Sequence, residues 1–174
     1  MTAKTFEVET GGSSETSNSY ASIANADEYN DTYLSNSTWT GLSDANKELY
    51  LMRATQWLDK RYNKRWYGER ANEDQALDWP RASITDTDGY NIDSDEIPQC
   101  IIDSCCEAAV IIAGGEDMMP DQSDSGTVKR TKKKVGPILT ETEYMGGNDP
   151  QKRYTTIDAL LRQVVRAPGE IIRG

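Results

Sequence analysis

The stretch DQALDWPR, residues 74–81, interrupts the helical pattern of the chain. The ring of Pro80 excludes the α region for the residue before it, so Trp79 is extended and a helix cannot continue through this point. Asp88-Gly89 then marks a tight turn. Because these breaks follow one another, residues 63–96 are predicted to form a structured loop between two helical segments.

Two helices are predicted before this loop from capping residues and apolar spacing. Ser22 is placed to cap the first helix, which ends in the Ser/Asn/Thr cluster that begins at Ser35. Ser43 is placed to cap the second, which runs to about Tyr62. The inward positions of the first helix are Ile23, Ala26, Tyr29 or Asn30, and Tyr33 with Leu34. The apolar stripe of the second consists of Leu49, Met52, Ala54, Trp57, Leu58 and Tyr62.

Two further helices are predicted after the loop. The third runs from Ile97 to Ala113, because a proline at 98 is tolerated in a first helical turn and Gly114-Gly115 favours termination. Its apolar surface leaves only a narrow polar strip at Gln99, Asp103 and Glu107. A last short helix is capped by Thr155 or Thr156. It places Ile157, Leu160, Leu161 and Val164 on one face.

The remaining segments have a different character. Val128–Tyr144 contains two extended segments around Gly136-Pro137, which predicts a hairpin arm at about 127–146. Residues 1–18 lack apolar periodicity and are predicted to be an N-terminal arm that is flexible or ordered by a partner. Residues 167–174 are a C-terminal tail. The predicted fold is therefore mainly α, a small helical bundle of about four helices over residues 19–166, with an extended β-hairpin-like arm and a tail.

The amino-acid composition limits the class of protein to which this chain can belong. The 174 residues fit one domain, but only 36% are apolar and one is Phe, so the core is thin and oligomerisation would help to stabilise it. The sequence has no apolar run of membrane-spanning length and no secretory leader, which predicts synthesis in the cytoplasm and no membrane partner. The three cysteines, Cys100, Cys105 and Cys106, are interpreted as small buried apolar side chains.

The residue types argue against an enzyme. The chain has no His, which removes the commonest general base and the Ser-His and Cys-His nucleophile pairs. Two carboxylate pairs, Asp93 with Asp95 and Glu141 with Glu143, could ligate a hard cation, but neither has the spacing of a full calcium loop. We therefore expect no catalytic residue, no metal and no cofactor.

Charge is divided unevenly along the chain. Residues 1–128 carry 9 Lys and Arg against 24 Asp and Glu, whereas residues 129–174 carry 10 against 5, so the net charges are −15 and +5. An acidic body repels a nucleic-acid backbone, while the basic end can bind phosphate or the acidic face of another subunit. Such polarity suits head-to-tail packing of subunits around a ring.

Two groups of residues could contact nucleic acid. The basic run Lys129-Arg130-Thr131-Lys132-Lys133-Lys134 could bind phosphates, pair with a neighbouring acidic surface or remain solvated. No aromatic residue lies between Tyr90 and Tyr144 to stack bases beside it. The second group combines cations at 60, 61, 64 and 65 with Trp57, Tyr62, Trp66, Tyr67 and Trp79. Helical spacing explains this aromatic group more simply as core and loop packing.

The order of these motifs resembles the head-tail connector (adaptor or head-completion) proteins of tailed bacteriophages. A motif like DQALxWPR, then DGYxI at Asp88–Ile92, then a proline-started helix recurs in them in this order. The resemblance extends from Ser19–Ser22 through Arg53–Asp59 and Arg65–Gly68 to Val135–Pro137 and Ile157–Leu161. Some of these relatives carry the label DnaT-like single-stranded-DNA-binding protein. The long acidic N-terminus and the residues after Leu161 depart from the pattern.

The resemblance implies a non-enzymatic virion structural protein of the neck. In that family a helical bundle, usually in a dodecameric homo-oligomeric ring, lies between the portal protein and a tail or neck protein and closes the head after DNA packaging. Non-specific contact with packaged DNA is compatible with this role, and the alternative is a DnaT-like single-stranded-DNA-binding module. The residues expected at the subunit and portal interface are Lys129, Arg130, Lys132, Lys133, Lys134, Arg162, Arg166, Ile171, Ile172 and Arg173.

Overall fold

The computed structural model describes residues 5–118, 128–134, 139–144 and 153–166, and only the backbone in the second and third of these ranges. These residues divide into a helical body, which runs to Asp117 and resumes at Tyr154, and an arm between them. The body contains α1 (Ile23–Tyr29), α2 (Ser37–Thr40), α3 (Asp44–Tyr62), α4 (Gln99–Ala113) and α5 (Thr155–Leu160). The predicted fold class, a small helical bundle with a hairpin arm, is confirmed.

The first helical segment begins after Ser22 and ends at Ser35, as the sequence predicts, but only its first part, α1, is α-helical. The side chains of Ser22 and Asn25 form a capping box, in which Ser22 Oγ accepts from Asn25 N at 3.1 Å. The helix then continues as a π-helical turn over Asn30–Leu34. Because this turn contains an extra residue, it buries Asn30 and leaves Tyr33 70% exposed. The prediction that Tyr33 faces inward is therefore wrong.

The Ser/Asn/Thr cluster that ends the first helix also contains a short helix. Residues 37–40 form the short helix α2, which the sequence did not indicate, and its Trp39 is fully buried. The indole Nε1 donates to Asp27 Oδ1 at 2.8 Å, and the same oxygen accepts from Lys47 Nζ at 2.8 Å. This arrangement joins α1, α2 and α3.

Helix α3 has the predicted bounds with a shifted inward face. Its buried apolar residues are Leu51, Ala54, Trp57, Leu58 and Tyr62. Leu49 lies out of phase with this stripe and is 38% exposed, so its predicted inward position is wrong. Helix α4 packs along α3, and nine of its fifteen residues are buried.

Helix α4 starts at Gln99, two residues after the predicted start at Ile97, and Pro98 is its N-cap. Its three cysteines are free and buried, as predicted. Cys105 Sγ lies 3.3 Å from the hydroxyl of Thr55 on α3. On the predicted polar strip Gln99 is exposed and Asp103 is partly exposed, but Glu107, predicted with them, is buried. The hydroxyl of Tyr29 on α1 donates to Glu107 Oε2 at 3.1 Å, so this carboxylate joins two helices instead of facing solvent.

Residues 63–96 form the predicted structured loop. Two short antiparallel pairs organise it, β1 (Glu69–Arg70) with β2 (Arg81–Ala82) and β3 (Ile84–Thr85) with β4 (Asn91–Ile92). The peptide bond between Trp79 and Pro80 is cis. The amide of Gln75 donates to the carbonyls of Leu77 and Pro80 at 2.8 and 3.0 Å, which closes the DQALDWPR stretch on itself.

The N-terminal segment is organised by a polar residue. Glu9 is buried, and its carboxylate accepts from the backbone N–H groups of Gly11 and Ser14, both at 2.9 Å, and from the Ser17 hydroxyl at 2.8 Å. Gly11 has a φ of +106°, and a Cβ there would lie 1.8 Å from the carbonyl oxygen of Asp95. Residues 5–18 are thus held by hydrogen bonds, which apolar periodicity does not detect.

Candidate nucleic-acid interface

The basic run forms one strand of the arm. Strand β5 (Val128–Lys134) pairs antiparallel with β6 (Leu139–Tyr144), which confirms the predicted hairpin. In this register Arg130 lies opposite Glu143 and Lys132 opposite Glu141, while the neutral partners Thr140 and Leu139 stand opposite the last two lysines of β5. Opposed charges on neighbouring strands stabilise a pair by about 0.2–1 kcal/mol. Two of the five β5 cations therefore have an acidic position across the ladder, and three do not.

The aromatic group predicted to be core is indeed core at four of its five positions. Trp57, Tyr62, Trp66 and Trp79 are each no more than 3% exposed. The rings of Trp66 and Trp79 meet edge to face at 5.9 Å, and the rings of Tyr62 and Trp66 lie 5.3 Å apart. These side chains pack the loop against α3. Because they are buried, none of their rings is available for a nucleic-acid base to stack on.

Tyr67 is the exception in this group, because it is partly exposed. Residues 65–67 pair with residues 164–166 through an antiparallel bridge at Trp66 and Val165. The backbone N–H of Tyr67 donates to Val164 O at 3.0 Å. The pairing places the guanidinium of Arg166 over the Tyr67 ring, 5.8 Å from its centroid.

The neighbouring Arg65 holds this arrangement in place. Its Nε and Nη2 donate to the carbonyl oxygen of Arg166 at 3.3 and 3.0 Å, and its own carbonyl accepts from Arg166 N at 2.8 Å. Arg81 Nε donates to the carbonyl of Tyr67 at 2.8 Å. We call Arg65, Tyr67 and Arg166 the Arg–Tyr cluster. Its backbone is fixed by hydrogen bonds, while the Tyr67 and Arg166 side chains remain partly exposed.

The residues expected at an interface are thus distributed over several places. The five cations of the basic run lie in β5, and Arg162 is exposed in the 3-10 turn Leu161–Gln163. Arg166 belongs to the Arg–Tyr cluster. Ile171, Ile172 and Arg173, with the rest of the predicted tail, lie outside the described residues. Sequence reasoning missed the partnership of Arg166 with Tyr67, although RWYG at 65–68 had stood out as a motif.

A partly buried carboxylate, Asp59, positions the loop that contacts this cluster through Arg81. Asp59 on α3 accepts from the Tyr20 hydroxyl at 2.5 Å and from the backbone N–H of Asp78 at 3.3 Å. The same hydroxyl accepts from Trp79 N at 3.2 Å. Desolvation by burial, reinforced by the nearby Asp78, raises the pKa of Asp59 to about 7, although the hydrogen bond from Tyr20 and the charge of Arg70 oppose the shift. The DQALDWPR stretch is therefore tied to α3 by a titratable group.

In the described part of the chain, no three His, Cys, Asp or Glu side chains converge in a way that could hold a metal ion. Among the helices of the same residues, none has the length and apolar character of a membrane span.

Comparison with known proteins identifies a family for this chain. A family model described as "Putative DnaT-like ssDNA binding protein" matches residues 4–174. Neither curated proteins nor solved structures gave a match. Since the family model covers almost the whole chain, the protein belongs to this DnaT-like family.

Proposed function

We propose that this protein is a non-enzymatic single-stranded-DNA-binding protein that contacts phosphates through β5. The observation that carries the proposal is the concentration of five Lys and Arg residues within positions 129–134, on a strand whose partner β6 contains only two acidic residues. The description of the family supports the same class of ligand. Cationic side chains bind phosphate without regard to base sequence.

The acidic body limits how this binding can work. The whole chain has a net charge of −10, so long-range repulsion opposes the approach of DNA everywhere except at its basic segments. Four of the five candidate stacking residues are buried. We therefore expect binding that is weakly dependent on base sequence and strongly dependent on salt.

Neutralising the two lysines that stand opposite neutral residues tests the proposal. We expect Lys133→Gln with Lys134→Gln to weaken binding of a fluorescent dT oligonucleotide by about tenfold or more at roughly 50 mM salt, because each phosphate contact releases a counterion. Fluorescence anisotropy measures the affinity. The matched control is Arg53→Gln with Lys60→Gln, which removes two exposed cations from α3 and is expected to change affinity little. Equal losses in both double variants would contradict the assignment to β5.

A second candidate function is the head-tail adaptor of a bacteriophage virion. It is favoured by the ordered motifs shared with connector proteins and by the division of charge between the two parts of the chain. In this proposal the subunits form a ring, with twelve copies as in the connector family, between the portal and a tail or neck protein. The ring is held by contacts of basic segments with acidic faces of neighbouring subunits, and the interface residues are those given above.

Deleting Ala167–Gly174 discriminates this second function. An adaptor lacking the tail is expected to keep its helical circular dichroism but to lose co-sedimentation with purified portal rings, since Ile171, Ile172 and Arg173 are its expected anchors. A protein that functions only through β5 would bind DNA equally well with or without the tail. Unchanged portal binding by the truncated protein would exclude the tail as the anchor of an adaptor.

A further inference from the structure

Tyr67 differs from the other members of the aromatic group in its exposure, since guanidinium groups also lie over the buried rings of Trp57 and Tyr62. It is partly exposed, and the guanidinium of Arg166 lies 5.8 Å from the ring centroid. Single-strand binding sites combine an aromatic ring or an Arg plane, on which a base stacks, with cations that follow the backbone. The Arg–Tyr cluster brings both parts together on the helical body.

The cations of this region are not neutralised by the part of the chain that the structure describes. Within those residues no carboxylate oxygen lies within 4.0 Å of a charged nitrogen of Arg65, Arg162 or Arg166. In a chain with a net charge of −10, guanidinium groups that have no carboxylate partner among the described residues provide a local attraction for a polyanion. The Arg65 guanidinium donates its hydrogen bonds to the Arg166 carbonyl, so the role of Arg65 is to position Arg166.

We propose that the Arg–Tyr cluster is a second contact for single-stranded nucleic acid, in which a base stacks on Tyr67 and phosphates meet Arg166 and the exposed Arg162. This inference rests on the proposed function, because it takes the same class of ligand. It adds what β5 lacks, which is a ring for stacking. Binding at this place therefore responds to the presence of bases and not only to phosphate charge.

A comparison of two oligonucleotides tests the contact. One is a dT oligonucleotide of about 16 nucleotides, the upper end of the usual site size, and the other is an abasic strand with the same number of phosphates. We expect Tyr67→Leu to weaken dT binding about fivefold and to leave abasic binding unchanged, while Tyr67→Phe retains dT binding. Arg166→Gln is expected to weaken both ligands and to reduce the salt slope by about 0.7. Arg53→Gln is the control for an exposed cation.

A second measurement does not depend on the stability of the leucine variant. Tyr67→Trp places an indole at the partly exposed position, and we expect its fluorescence to be quenched by the dT strand and not by the abasic strand. Equal effects of Tyr67→Leu on both strands, or no quenching of the new indole, would overturn the inference.

The outcomes separate this inference from the proposed function. If Lys133→Gln with Lys134→Gln weakens binding while the Tyr67 and Arg166 variants behave like the control, the function stands and the second contact is excluded. If the Tyr67 and Arg166 variants lose affinity while the β5 variant does not, the contact on the body is supported and the assignment to β5 falls. If the unaltered protein binds neither strand, both are overturned.

Discussion

Replacing Ile101 by aspartate is expected to unfold the helical body. Ile101 lies on α4 and is fully buried. A carboxylate at this position would lose its hydration without gaining a partner, which costs several kcal/mol against a total stability of about 5–15 kcal/mol for a domain. Urea denaturation followed by circular dichroism measures the loss. The unfolding transition should shift to much lower urea or disappear.

The same helix provides a matched control. Gln99 is exposed in the first turn of α4, and Gln99→Asp introduces the same charge without burial. A carboxylate near a helix N-terminus is mildly favourable, so we expect a change of less than about 1 kcal/mol. If Ile101→Asp were as mild as Gln99→Asp, the helix orientation described here would be incorrect.

The second large effect is expected from Asp59 and depends on pH. Its pKa is about 7 in the folded protein, compared with 3.8 for an ordinary Asp. The folded state therefore holds a proton on Asp59 that the unfolded chain releases at lower pH. The stability contributed by this group is fully present below about pH 4 and is lost as pH rises toward 7. The loss is at most about 4 kcal/mol, and less because Asp59 keeps some contact with solvent.

Asp59→Asn should abolish this pH dependence, because an amide has nearly the shape of the protonated acid and does not ionise. We expect the variant to match the unaltered protein near pH 4 and to be more stable at pH 8. Asp74→Asn, at an exposed position of the same loop, is the control for removing a carboxylate. Thermal unfolding at several pH values measures the difference. Parallel stability curves for Asp59→Asn and the unaltered protein would show that Asp59 titrates normally.

The positions of α1, α3, α4 and α5 could be predicted from the sequence because caps and apolar spacing are local, whereas the short α2 was missed. Ser22 forms its capping box, and α3 ends at Tyr62 as predicted. Whether an individual side chain faces the core or solvent could be predicted less well. Tyr33 faces solvent because a π-helical turn changes the phase of α1, and no periodic pattern indicates such a turn. Glu107 is buried because Tyr29, on another helix, donates to it.

The candidate site could likewise be predicted only in part from the sequence. The basic run could be recognised as a cationic segment from its composition alone, and two extended segments around Gly136-Pro137 predicted its hairpin. The Arg–Tyr cluster depends on the pairing of residues 65–67 with residues 164–166, which are about one hundred positions apart in the chain. Spacing in the sequence carries no information on such a contact. Only the structure places the Arg166 guanidinium beside the partly exposed Tyr67 ring.

The salt dependence of single-stranded DNA binding tests the central claim most directly. The slope of the logarithm of the association constant against the logarithm of salt concentration counts the cations that meet phosphates. For β5 alone, the account predicts a slope between about −2, if the cations opposite Glu141 and Glu143 do not contribute, and about −3.5, if all five do. Lys133→Gln with Lys134→Gln should reduce its magnitude by about 1.4. A slope near zero, or one that this double variant leaves unchanged, would contradict DNA binding through β5.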